Sequence, residues 1–293
     1  MGSMVLSVRA VAAIWLLAGC LRAEEPLTAR AIMEKVAANT GSGSEARRQF
    51  LYHQKVRSAM LYSNGKLVRR ELREYDVIPL ADSTDKVLTS FQGEYQKNGK
   101  TFTYSAPDDP RRGDAMDASN LASLTDDLTN AKKSRDGIPA QLFTLLAEDL
   151  DYYRFTRAGD TSVGGRRAYR ISFEPAKAGD VCISTDDGPN ERCHNWKGEV
   201  VVDAEEFQPV RIATTLARGV PAGIRVFMGI NLRQVGFSVS YKRLEKDVWF
   251  PTGYGTEIGV TVFWGYKRTI TLSLDNNDFR RTGAESTIHF DEP

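Results

Sequence analysis

Few residues in this sequence have the types and spacing that chemistry demands. The densest group of ligand-type side chains is Cys182, Asp186, Asp187, Glu191, Cys193 and His194. Two Cys and one His at this spacing match no standard zinc pattern. The same cysteines sit in a stretch rich in Gly, Asp, Pro and Asn, and in an oxidising compartment such a pair closes a disulfide. A bridge across about a dozen residues contributes roughly 2–3 kcal/mol in the chain-entropy account. A Cys182–Cys193 disulfide is the favoured reading, with metal binding as its alternative.

Carboxylates gather at Asp203, Glu205 and Glu206. A pair of this kind could flank a glycosidic bond. Their place between two strand-like runs reads instead as a turn with solvated acids. Gly159-Asp160-Thr161-Ser162-Val163-Gly164 resembles a serine elbow only loosely, and a hairpin accounts for it. His53 falls out of phase with the apolar residues around it and belongs on the surface. No G-x-S-x-G, H-E-x-x-H, phosphate loop or dinucleotide fingerprint occurs. The expectation is a protein without catalysis, cofactor or metal.

Cys20 is the third cysteine, and its setting differs. Arg9 precedes the apolar run Ala10–Leu17, which is too short to span a bilayer comfortably, and Leu17-Ala18-Gly19-Cys20 resembles a bacterial lipobox. Residues 1–19 therefore read as a lipoprotein-type signal peptide, with Cys20 as the site of lipid attachment. A cut after Ala23 would place the large Leu21 where a small residue is wanted. The expected destination is the periplasmic side of the bacterial envelope, held to a membrane, the outer one among them, through that lipid.

Of 293 residues, 39 are Lys or Arg and 38 are Asp or Glu, so no strong field recruits nucleic acid. Aromatics reach 10% while histidines number only 3, which leaves little room for a histidine-rich metal centre. Cations do cluster locally at Arg47, Arg48, Lys55, Arg57, Lys66, Arg69, Arg70 and Arg73. They read as a polar outer face, with contact to anionic headgroups or an acidic partner as the second reading.

The elements that must position these residues are mostly strands. Thr28 caps a short helix over Ala29–Asn39, and Gly41-Ser42-Gly43-Ser44 reads as a flexible connector. Period two then takes over. Phe50, Tyr52, Gln54, Val56, Ser58, Met60 and Tyr62 share a face, Asn64-Gly65 turns the chain, and Leu67–Ile78 returns with many charges toward water. Strands around Phe91 and Tyr104 complete a meander. Two helices follow, one capped at Ser119 and one from Pro139 with Leu142, Leu145, Leu146 and Leu150 on its apolar face. Strands resume from Tyr169 onward, among them Val235–Tyr241 with Phe237 in phase. The total is about eleven, in a single domain over 20–293.

This order resembles the LolA/LolB-like superfamily of bacterial envelope proteins. Locally the resemblance rests on Gly165–Ile171, Gly198–Asp203, Phe207–Arg211 and Trp249-Phe250-Pro251. It implies an α+β, mainly antiparallel β fold: an unclosed half-barrel of about eleven strands, its mouth covered by helices. It also implies an apolar cavity that carries or senses acyl chains of lipids or lipoproteins. The chain is longer than a typical LolA, its lipid anchor suits LolB-like receptors, and the loop over 177–195 belongs to no motif of the family. Independently, a sheet of about eleven strands is wider than side chains alone readily fill. The cavity or lid candidates are Leu142, Leu145, Leu146, Leu150, Phe237 and Tyr241. The alternative is an envelope interaction or sensor module of the same fold with a packed core and an envelope protein partner.

Overall fold

The computed structural model describes residues 27–79, 84–129, 146–177, 195–218, 233–246, 248–261 and 266–282. Cys20, Cys182, Cys193, Leu142 and Leu145 lie outside these residues, as do Ile288 and Phe290.

Alternation over Phe50–Tyr62 produces strand β1, whose even-numbered side chains from Phe50 to Met60 are buried. Tyr62 keeps the phase but is 40% exposed at the turn. Gly65 takes the left-handed φ of 79° that this turn requires. Strand β2 (Leu67–Pro79) returns, β3 (Thr84–Lys97) follows, and Asn98-Gly99 leads into β4 (Lys100–Tyr104). Beyond the helices, Tyr153–Val163 is β5 and Arg166–Pro175 is β6, joined at Gly164-Gly165. The Gly159–Gly164 stretch is thus the end of a hairpin strand. Trp196–Asp203 (β7), Pro209–Leu216 (β8), Arg233–Glu245 (β9), Val248–Thr261 (β10) and Lys267–Arg281 (β11) complete the series.

These eleven strands form one sheet in the order β4-β3-β2-β1-β11-β10-β9-β8-β7-β6-β5. Every pairing is antiparallel. Every neighbouring pair is consecutive in sequence except β1 with β11, which pair from Phe50↔Arg281 to Tyr62↔Arg268. β4 and β5 are left as edges, so the sheet is unclosed.

One face is covered by helices. Helix α1 (Ala29–Arg47) buries Ile32, Met33, Val36 and Ala37 against the main core. Thr28 caps it, its Oγ1 accepting from the Ala31 amide at 3.1 Å. The helix does not stop at Asn39: Gly41-Ser42-Gly43-Ser44 is helical, not a connector. Tertiary contact overrides propensity here. The Arg47 guanidinium reaches the Trp249 carbonyl, and a Cβ on Gly43 would stand 3.1 Å from Arg47 Nη1.

Helix α2 (Ala115–Thr129) begins earlier than the expected Ser119 cap. Asp114 Oδ1 accepts from the Met116 and Asp117 amides, each at 3.0 Å, and is the true cap. Leu121 and Leu124 of α2 pack on Met60, Val68 and Ile270 as a second, smaller core. The helix expected from Pro139 to Leu150 meets the described residues only at its end, which is a 3-10 turn over Ala147–Tyr152.

Candidate functional site

The helix-covered face falls into two regions of opposite character. From β5 across to β1 it is a continuous aromatic and aliphatic surface beneath α1. Trp196 meets Phe237 edge-on at 5.1 Å between centroids, and Phe237 stacks toward Tyr254 at 6.2 Å. Phe250 contacts Tyr52 at 5.0 Å and Phe279 at 4.6 Å. Burial pushes the Tyr254 hydroxyl well above the ordinary tyrosine range.

The sequence-derived candidates divide across this surface. Leu150 and Phe237 are both buried in the main core, with Tyr241 partly buried against it. Leu146 is half-buried and starts the 3-10 turn in extended conformation. The structure therefore brings Leu150, Phe237 and Tyr241 to one cluster. Side chains at the start and middle of α1 hold it over this cluster. Arg30 donates to the Leu150 carbonyl at 2.8 Å, and Asn39 donates to the Glu206 carbonyl at 2.8 Å.

Toward β2 the same face turns polar, contrary to the reading that β2 points its charges at water. Its register explains why. Tyr52↔Val77 and Gln54↔Tyr75 set the inward phase, which continues through Arg73, Glu71 and Arg69. All three are buried. Glu71 accepts from Arg73 Nη2 at 2.7 Å and from the Tyr104 hydroxyl at 2.7 Å, while Arg73 Nη1 reaches Asp126 of α2 at 2.8 Å. Burial opposes the Arg73 charge, but Glu71 outweighs it and raises the group further. Burial first, and then the bond to Glu71, raise Tyr104. Gly93 makes this possible, since a Cβ there would lie 2.2 Å from the Tyr104 ring. A second polar chain crosses nearby: Lys86 donates to Gln54, Gln54 to Asn276, and Asn276 to the Pro251 carbonyl.

The cationic cluster of the sequence is thus split by the pleat. Arg47, Arg69 and Arg73 are buried, while Lys55 pairs with Glu74 and Arg70 with Glu94 on the opposite face. On that face a cavity of about 900 Å³ is lined by Arg57, Ala59, Arg70, Leu72, Glu94 and Thr271, among others. A second cavity of about 660 Å³ lies beside the start of α2.

The acidic group also departs from expectation. Asp203 is not a turn residue but the last residue of β7, and it is only 1% exposed. Its carboxylate accepts from Arg166 at 2.7 and 2.9 Å and from the Glu205 and Glu206 amides. Burial would raise its pKa, yet these bonds prevail and hold it below the usual carboxylate range. Glu206 accepts from the Trp249 indole at 2.7 Å and pairs with Arg243 at 2.7 Å. These carboxylates are committed to structure. His53 is partly exposed between Glu74 and Asp76. Among the described residues no three His, Cys, Asp or Glu form a group that could hold a metal ion.

The buried charges of β2 escaped the sequence reading because charged residues suggest water. The phase of Tyr75 and Val77 carried the information.

No protein family and no curated protein matches the sequence. Solved structures do. The chain is similar to a LolA superfamily protein from Nitrosomonas europaea, with 12% identity, 87% of this chain and 94% of that one covered, and a TM-score of 0.33. It is similar to a domain assigned to outer membrane lipoprotein sorting from Vibrio parahaemolyticus, at 11% identity over 87% and 95% of the two chains, TM-score 0.34. A DUF1329 family protein from Desulfovibrio piger matches at 12% identity over 89% and 96%, TM-score 0.33. What this chain itself presents is an open antiparallel sheet with helices on one face.

Proposed function

We propose that this chain is a non-enzymatic binder of acyl chains, carried by a lipid or a lipoprotein, on the apolar face beneath α1. Lipoprotein sorting or lipid transport in the bacterial envelope is the process it would serve. One observation carries the reading. The apolar face belongs to a sheet whose strands pair with one another and not with α1, so the cover can be exchanged for another apolar chain while the sheet persists. Leu150, Phe237 and Tyr241 form part of that floor, and Leu142, Leu145 and Leu146 are proposed as part of its cover. Export, lipid attachment at Cys20 and a Cys182–Cys193 disulfide complete the proposal. No helix among the described residues is long and apolar enough to cross a membrane, so a lipid on Cys20 would supply the hold.

A fluorescent fatty acid titrated into the protein should bind saturably in the micromolar range. Phe237→Ala should change that affinity while the protein stays folded. The density of the cluster around Phe237 favours a second reading, an interaction or sensor module with a permanently packed core. On that reading wild type binds no probe, and Phe237→Ala costs about 3–5 kcal/mol of stability.

A further inference from the structure

We infer that the cavity beside the start of α2 is an oxyanion site that takes a phosphate group. Arg69 lies on its wall and is 1% exposed. Nη2 of Arg69 donates to the Arg112 carbonyl at 2.6 Å and the guanidinium lies 5.9 Å from the centre of the Tyr104 ring, but its buried Nε and Nη1 have no hydrogen-bond partner. A guanidinium removed from water with donors unmet is costly, and an anion is the partner that offsets both charge and donors.

The surroundings agree in sign. Arg69, Lys97, Arg111 and Arg268 line the cavity against Asp114 and Asp117. Asp114 is engaged in capping α2, and Asp117 is engaged by Arg268 at 3.2 Å and by the Tyr266 hydroxyl at 2.5 Å. Arg111 pairs with Asp109 at 2.9 Å. Among the described residues, Arg69 and Lys97 have no carboxylate partner. The site stands apart from the acyl-binding reading, because a free anion would fill it without any tail.

Calorimetric titration of the full chain with inorganic phosphate, dihexanoylphosphatidic acid and dihexanoylphosphatidylcholine tests this. Binding of the first two without the third shows that the phosphate monoester is recognised whatever its source. Binding of phosphatidic acid alone assigns the site to a lipid headgroup. Equal binding of both lipids without phosphate overturns the proposal, since only tails are then recognised. Absence of all binding overturns it too, and the cavity is hydrated only.

Arg69→Met should weaken the anion at least about tenfold. If that variant fails to fold, Met116→Glu decides. Met116 is 62% exposed on the cavity wall, and an acid in the first turn suits the helix. Folded Met116→Glu should lose the anion by about tenfold or more, and unchanged binding in it would refute the site.

Discussion

At Asp203 one carboxylate serves two bonds from Arg166 and two turn amides, so its loss is a test of how far a turn can be organised by a single side chain. Asp203→Asn should cost about 2 kcal/mol, the scale of bonds to a charged group. Its pH dependence follows from the lowered pKa. The carboxylate contributes stability above the ordinary carboxylate pKa, and loses it as pH falls through the lower folded value. Urea midpoints of wild type and variant should therefore stay apart above the ordinary carboxylate pKa of about 3.8 and converge as pH falls below it. A gap that stays constant would show that the charge is irrelevant. The sequence placed Asp203 beside this turn but did not give its burial, because Arg166 lies 37 positions away and only the β6–β7 pairing brings them together.

Among the elements, β1 was legible end to end because its alternation is unbroken and a strong turn follows it. β2 was legible in extent but not in the facing of its charges. Helix α1 was legible at its cap and not at its end, where Gly and Ser oppose helix and Arg47 supplies the compensating contact. The smallest residue in β3 carries the largest local constraint. Gly93→Ala must displace the Tyr104 ring and with it the bond to Glu71. A cost of about 1–3 kcal/mol is expected from such overpacking. In a Tyr104→Ala background the same substitution should be close to neutral, and equal costs in both backgrounds would remove Tyr104 from the explanation.

For the whole molecule, the strand total was legible from turn residues and period and the unclosed half-barrel came only with the resemblance, whereas the joining of β1 to β11 was not legible, because no local pattern encodes a pairing across the full length of the chain. That pairing has a kinetic consequence. Each other neighbour in the sheet is also a neighbour in sequence, so hairpins can form early and at little loop-closure cost. β1 must wait, one side unpaired, until the last described strand has emerged. In pulse-labelled hydrogen exchange during refolding, the β1 amides directed at β11 should gain protection later than those of the β2–β3 and β5–β6 hairpins. Simultaneous protection would show that the two halves collapse together. Late closure also has a consequence during synthesis. The ribosome can finish most of such a chain while its two halves still lack the seam that would make them one body.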